Sequence, residues 1–553
     1  MISLKLIYKA GFSWHSNGDC HVKGFVHTEN RGYLSGDALL EYFNSCSDFE
    51  EFKNRVGIAN GMFSVVLIRK GNAWLAVDRM RTFPLFYANI DSNAAGPGKT
   101  EEKGTLISDS VDQIIDYMGG WTLNQDASTE FLASGYVTGT ETLAEGISQV
   151  QAAEVVEILA SDIAGDAGLE FKRNFYSSYR TAQPFDGPVV KLEEELDGII
   201  QKVFRRLLDS IQGRTAVIAL SGGYDSRLIV AMLKKLEFPN VICFSYGRRG
   251  NPDMLRAEEV ALKLGYEFIP IEHTDEMISG FLGDNRFYDY VRFSSNMVSM
   301  FFMQEYFAIR YLKDNELVPG DSVFIPGHSG DFFAGSQLIR HGLHNRKEKD
   351  GKTIKRLFEV KYELCKPGSF DNKTMLDRIK QSLHEKDSVE DALPYSIHED
   401  WDLKEKLAKF IVNSCNIYAW YGYEYRLPLY DYELQDFFRD VPFELKANKR
   451  LYDNILRKRI FSDLDLNFPS ELQPDEKTQQ KARLKGKIKK ILPGSLIPTT
   501  VSREDPIFYH EITRALQQDL GSKGITIKIR GNNYNSLIVQ WYIEFLKAES
   551  DRN

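Results

Sequence analysis

What this chain lacks narrows its reading first. Its 553 residues hold five cysteines, Cys20, Cys46, Cys243, Cys365 and Cys415, with no Cys-x-x-Cys pair among them. That excludes a zinc-finger spacing and a disulfide framework, and it suits reduced thiols in a cytoplasm. No apolar run approaches the ~18 residues a membrane helix needs. Met1-Ile2-Ser3-Leu4-Lys5 lacks the apolar stretch of a secretion signal, so a cytoplasmic location is expected, with no membrane insertion. Basic residues are not in excess: 69 Lys and Arg face 78 Asp and Glu, a net charge of −9. This argues against nucleic acid as a partner, because such binding needs a concentrated basic surface. The full Walker A pattern, Gly-x-x-x-x-Gly-Lys-Ser/Thr, is missing, and so is any internal repeat.

The length implies two or three domains, and 43% hydrophobic residues supply ample core. The first ~185 residues read as short strands. Gly61 to Ile68 and Ala73 to Asp78 are β-rich runs separated by the hairpin signal Arg69-Lys70-Gly71-Asn72. Ser92 to Gly104 is loop-like, and Val155 to Leu159 is a further strand. From Pro188 the pattern turns to strand–helix alternation, which indicates a parallel sheet. Leu192 to Leu208 is an amphipathic helix, Val241 to Tyr246 and Glu267 to Ile271 are strands, and Met254 to Leu264 is a helix between them. Residues 340–400 are charged and helical in character. Segment 280–312 reads as a helix rich in Phe, Tyr and Met, either core or the wall of a pocket. Lys477 to Lys490 is basic, as a solvated helix face would be.

One stretch carries chemistry. The apolar run Thr215 to Leu220 stops at Ser221-Gly222-Gly223-Tyr224-Asp225-Ser226, and a helix-compatible segment from Asp225 to Leu236 follows. A strand, a glycine turn and a helix N-terminus make an anion site, because backbone N–H groups approach the ligand and the helix dipole favours negative charge. Ser221 and Ser226 add hydroxyl donors, and Asp225 can hold a divalent cation against phosphate oxygens. An ordinary strand-to-helix turn is the plainer alternative. The full hexapeptide resembles the pyrophosphate loop of the ATP pyrophosphatases, which cleave ATP between the α and β phosphates and adenylate a carboxylate or carbonyl.

Further segments resemble one branch of that superfamily, the asparagine synthetases. Asn60-Gly61-Met62-Phe63-Ser64, then Asp78-Arg79-Met80-Arg81-Thr82-Phe83-Pro84-Leu85-Phe86-Tyr87, are similar to the family's Asp-Gly-Met-Phe-Ala and Asp-Arg-x-Gly-x-x-Pro-Leu-Tyr-Tyr. Glu424-Tyr425-Arg426-Leu427-Pro428-Leu429-Tyr430-Asp431 and Ile455-Leu456-Arg457 follow in the family's order. The resemblance implies an α/β protein with two folds. Residues 1–185 would form a class II glutamine amidotransferase-like, Ntn-hydrolase-like αββα sandwich. Residues 186–465 would form the ATP-pyrophosphatase parallel-sheet domain, with 466–553 a mostly helical extension. The resemblance leaves room for a homodimer.

Departures from the family shape the expected function. A working glutaminase half carries Cys directly after the initiator Met, whereas position 2 here is Ile2. The glutamine-binding Asn-Gly-Glu segment keeps only its glycine around Val22-Lys23-Gly24-Phe25. Without a thiol nucleophile no glutaminase is expected. Pro326-Gly327-His328-Ser329-Gly330-Asp331 aligns Asp331 with the family's magnesium-binding aspartate, so Asp225 and Asp331 would share Mg²⁺; a helix cap is the plainer role for Asp331. His328 stands where asparagine synthetases carry Glu and β-lactam synthetases Tyr, a slot that positions or deprotonates the amine, and a turn histidine is the alternative. The family's catalytic lysine has no clear counterpart; Lys477 is favoured, with Lys481 next and solvated surface charge the plain reading of both. Leu220, Tyr246 and Gly327 would meet the nucleotide through their backbones, while Glu258 and His273 read as structural. Together these imply an ATP- and Mg²⁺-dependent synthetase joining a carboxylate to ammonia or an amine. The mix of features resembles members encoded with surface-polysaccharide genes, which implies a sugar uronic acid. Intramolecular amide closure of the β-lactam or lasso-peptide type, a tRNA- or nucleotide-modifying pyrophosphatase and a non-enzymatic scaffold are the rivals.

Overall fold

The computed structural model describes residues 2–7, 11–90, 104–159, 170–181, 183–348, 350–368, 370–383, 393–468, 505–525 and 534–550. Eleven strands lie in the first part of the chain: β1 (Ile2–Lys5), β2 (Trp14–Ser16), β3 (Cys20–Thr28), β4 (Gly32–Ser35), β5 (Asn60–Arg69), β6 (Asn72–Val77), β7 (Phe86–Ile90), β8 (Gly104–Ser108), β9 (Ile147–Gln149), β10 (Glu154–Leu159) and β11 (Glu170–Phe175). They form a four-stranded sheet, β1-β8-β7-β9, and a seven-stranded one, β11-β10-β6-β5-β3-β2, with β4 on β3. Only the β1–β8 pair is parallel.

Side-chain alternation shows how the sheets stack, since successive residues of a strand point to opposite faces. Val66, Leu75, Tyr87, Ile107 and Val156 form one cluster between the sheets. Their neighbours Val65 and Leu67 face a second cluster with Phe43, Phe52 and Val56 from helices α1 (Gly36–Asn44) and α2 (Phe49–Ile58). Phe86, Ala88 and Leu106 turn the other way, onto Ile114 and Phe131 of α3 (Val111–Met118) and α4 (Gln125–Ser134). The layers are therefore helix, sheet, sheet, helix: the αββα sandwich. The strands-only reading of this part missed these helices, because each is eight to ten residues long and shows too few turns for its period to stand out.

The second part is a parallel-sheet fold. Strands β12 (Ala216–Ala219), β13 (Val241–Gly247), β14 (Glu267–Glu272), β15 (Val323–Phe324) and β16 (Glu424–Tyr425) lie in the order β14-β13-β12-β15-β16, and every pair is parallel. From β12 the chain steps outward to β13 and β14, then returns to the other side of β12 for β15. That reversal opens a crevice beyond the carboxyl ends of β12 and β15. Helix α5 (Val189–Ile211) enters this fold, burying Leu192, Leu196, Ile199, Val203 and Leu207 at helical spacing. Helices α6 (Tyr224–Lys235) and α7 (Pro252–Leu264) follow β12 and β13.

The helical expectation for residues 340–400 holds: the described residues there include the helices Asp350–Lys361, Asn372–Ser382 and Pro394–Asp402. Segment 280–312 is not continuous: helix Asn285–Ser295 ends where Asn296 and Met297 take positive φ (47° and 54°), and helix Tyr306–Asp314 begins afresh. Most of its aromatic residues are core, but the break delivers Gln304 and Glu305 to a cavity. Helices Tyr509–Ser522 and Tyr534–Ser550 share the same large core as the parallel sheet. No helix among the described residues is long and apolar enough to cross a membrane.

The family landmarks of both parts meet at the seam. Tyr432 donates its backbone N–H to Asn60 Oδ1 at 3.1 Å, and its hydroxyl accepts the Arg79 N–H at 3.1 Å. The Arg79 guanidinium lies 4.0 Å above the Tyr432 ring and reaches Asp436 at 2.8 Å. Buried Lys409 donates to the Val137 and Gly139 carbonyls and to Glu405. Asp78 ties its own turn by accepting from Phe63, Met80 and Thr82.

Candidate active site

The loops after β12 and β15 converge in the crevice. The first closes on itself: Ser221 N–H donates to Ser226 Oγ at 3.1 Å and Gly223 N–H to Ser221 Oγ at 3.2 Å. Gly223, itself exposed, sits at the N-cap of α6, so the positive end of that helix opens at the glycine turn. The second loop presses against it. A Cβ at Gly327 would lie 2.7 Å from Ser226 N, and one at Gly330 would lie 2.9 Å from Asp225 Oδ1. Only glycines allow this approach. Ser329 between them takes φ +68°, an uncommon conformation for a side-chain-bearing residue.

The approach joins two carboxylates 106 residues apart. Asp331 N–H donates to Asp225 Oδ2 at 3.0 Å, while the Tyr452 hydroxyl donates to Asp225 Oδ1 at 2.9 Å. Burial first, and the Asp331 charge second, push the Asp225 carboxyl up to about 7, against the pull of both donors and of Lys449. Asp331 itself is exposed and is the second residue of the short helix Gly330–Phe333, whose N-cap position belongs to Ser329. A divalent cation fits this pair. Its charge would relieve the carboxylate repulsion, and the described residues supply no group of three or more acidic, His or Cys ligands, so positions remain for phosphate oxygens.

A cavity of about 210 Å³ opens beside the loops, lined by Leu220, Ser221, Ser226, Tyr246, Gly327 and His328 among others. The expected residues at the two loops and at the end of β13 are thereby brought together. His328 Nε2 pairs with Ser414 Oγ at 3.2 Å, and Ser414 donates its proton to the Ile411 carbonyl, so Nε2 carries the imidazole hydrogen. Nδ1 is the unprotonated nitrogen. Burial holds the imidazole down at about 4, which keeps it neutral near pH 7. Glu305 also lines the cavity: it is 7% exposed, accepts from the hydroxyls of Tyr246 and Tyr418, and pairs with no cation among the described residues.

Lys477 and Lys481 lie outside the described residues. Among the described residues, Lys449 is a cation whose charge acts on Asp225; it takes φ +60°, with Nζ 5.4 Å from the Tyr224 ring centroid and 3.4 Å from Asp453. Sequence reasoning also missed Arg227, which is fully buried. It donates to the Gly222 carbonyl at 2.7 Å and the Leu466 carbonyl at 3.2 Å, and stacks on Tyr224, Phe461 and Phe468. Arg227 thus anchors the first loop from below. The available signals were its place in the residue after the hexapeptide, and the place of Lys449 just upstream of Ile455-Leu456-Arg457.

Comparison with known proteins agrees with this geometry. Residues 204–535 match the family described as asparagine synthase. A stretch of 206 residues is 27% identical to the probable glutamine-hydrolysing asparagine synthetase of Acanthamoeba polyphaga mimivirus, covering 36% of this chain and 34% of that protein. The match thus spans about a third of the length of that curated relative. Among solved structures, similarity is found to a glutamine phosphoribosylpyrophosphate amidotransferase from B. subtilis complexed with ADP and GMP (12% identity, TM-score 0.19, 47% of this chain and 72% of that one). An allosteric regulatory enzyme of purine biosynthesis is also similar (10%, TM-score 0.18, 48% and 72%). Likeness at these TM-scores carries no weight for the fold, which rests on the sheet topology above.

Proposed function

Because the chain belongs to the asparagine synthase family, we propose that it is an ATP-dependent amide-forming synthetase that adenylates a carboxylate and joins it to ammonia or an amine. The observation that carries this reading is the Asp225–Asp331 contact, made where two glycine-bearing loops meet at the switch point of a parallel sheet. In this reading the glycine turn at Gly222 and Gly223 and the helix N-terminus it opens, with the Ser221 and Ser226 hydroxyls, bind pyrophosphate. Leu220, Tyr246 and Gly327 line the nucleoside part. Mg²⁺ held by Asp225 and Asp331 would neutralise charge on the leaving pyrophosphate. Lys449, whose charge acts on Asp225, is one candidate for the cation that stabilises the reacting phosphate, with Lys477 the other.

The chemistry divides into two displacements. A carboxylate oxygen of the substrate attacks the α-phosphorus of ATP and the α–β bridge breaks, its electron pair leaving with pyrophosphate. The amine nitrogen then attacks the acyl carbon, the C–O bond to AMP breaks, and AMP departs with that pair. His328 Nδ1 takes the proton the amine sheds, since Nε2 is already committed to Ser414. Glutaminase activity is absent in this reading. Cys20 and Cys46, the cysteines of the sandwich, are buried, with their thiols pushed up to about 12 and about 11 by burial, far from a reactive thiolate. We divide the chain functionally at 185/186 and 465/466, which the separation of the three sheets by sequence supports at the first boundary. The substrate we favour is a sugar uronic acid of surface-polysaccharide synthesis. Pyrophosphate release from ATP across a panel of uronic acids, amino acids and ammonium or simple amines tests this; no release with any pair overturns it.

A further inference from the structure

One residue far along the chain, Ile507, lines the cavity. Asp505 to Phe508 cross the carboxyl end of β13, and Ile507, half-buried, faces into the space between the loops. Several independent contacts hold this strap. Arg248 N–H donates to the Pro506 carbonyl at 2.7 Å, and the Asn251 side-chain amide donates to the same oxygen at 3.2 Å. The Arg248 guanidinium lies 3.8 Å above the Phe508 ring, and donates to the Asp505 carbonyl at 2.8 Å and to Glu511 at 2.6 Å. His273 Nδ1 donates to the Ile507 carbonyl at 3.0 Å, and its ring stacks on Tyr246 at 5.5 Å. Gly247, at φ +133°, admits the strap: a Cβ there would stand 2.4 Å from the Pro506 oxygen.

Such a segment is more firmly built than a chain crossing needs. Asp505 caps the following helix by accepting from Tyr509 and His510, and Phe508 is kept at φ +68° between that cap and Arg248. Strain of this kind persists where surrounding contacts over-determine it, and here it aims one apolar side chain into a cavity otherwise rich in polar groups. With Leu220 and Pro326, Ile507 supplies the apolar surface that the faces of a purine or ribose require.

We infer that Ile507 is a nucleotide-site residue and that Arg248, which has no place in the cavity lining, is the positioning residue that holds it there. The inference rests on the ATP reading above. Calorimetric titration of the full chain with ATP and Mg²⁺ tests it. Ile507→Ala and Arg248→Ala should each weaken Kd about tenfold, while Ile507→Val stays within about twofold of the wild type. A purely structural strap would lower Tm in these variants and leave Kd unmoved. That result, or wild-type Kd in both alanine variants, overturns the inference while leaving the ATP reading in place. A wild-type chain that binds no ATP overturns the ATP reading itself, and the inference with it.

Discussion

The two halves of this chain treat similar chemical groups in opposite ways. In the sandwich, the family-like residues are spent on structure: Asp78 satisfies four donors of its own turn, Arg79 stacks on Tyr432, and Arg81 is fully buried with Nε on the Val150 carbonyl. In the parallel-sheet half, Ser221, Gly223 and Asp331 stay exposed, and the charge of Asp331 bears on Asp225 more strongly than that of Lys449. The halves differ in whether these residues lie inside the protein or where a ligand can reach them.

Perturbing each half should expose that contrast. The largest effect belongs to Asp225→Asn, which would remove one of the two proposed cation ligands; pyrophosphate release should fall by about 10²–10³ in kcat. His328→Ala should slow amide formation about 10²-fold while ATP–pyrophosphate exchange persists. Because burial holds His328 near 4, the imidazole is unprotonated throughout the neutral range. The factor by which His328→Ala slows amide formation should be the same from pH 6 to 8 and shrink only as pH drops toward 4, and a change in that factor at 6.5 would contradict its assignment.

The remaining effects concern stability. Lys409→Met strands Glu405 in the seam, so denaturation should show a loss of about 3–5 kcal/mol, with pyrophosphate release retained at low temperature. Half-buried His341 is held at about 4 by burial and by the nearby Lys361. The unfolded chain takes up a proton below 6.5 that the folded one refuses, so stability should decline from pH 6.5 to 4 and level off below. His341→Gln should shrink that decline in a pH series of urea midpoints. Smallest of all, Cys20→Ala should leave pyrophosphate release within about twofold of the wild type, as a thiol without a catalytic role requires.

Where a feature is local, the sequence made it legible. β13 was expected over Val241 to Tyr246 and is found at Val241–Gly247, because an apolar β-branched run between turn signals leaves few alternatives. The anion loop was readable for the same reason, as strand, glycines and helix are contiguous. Its surroundings were not. Arg248 meets Asp505 across 257 residues, and Tyr452 meets Asp225 across 227, distances over which no periodicity speaks. Distance along the chain from Ile455-Leu456-Arg457 points downstream to Lys477, which lies outside the described residues; that Lys449, upstream, acts on Asp225 by its charge is visible only in the fold. Arg81 shows a subtler limit. It occupies the glycine position of the family pattern at φ +53°, so the pattern encoded a backbone conformation that this chain meets with another residue.

The contrast between the halves is tested most directly by the source of nitrogen. The intact chain would be given ATP, Mg²⁺ and the acid that best supports pyrophosphate release, with either ammonium chloride or amide-¹⁵N-labelled glutamine. The account predicts labelled product and AMP from ¹⁵N-ammonium and none from glutamine. Transfer of the glutamine label into the product would contradict it.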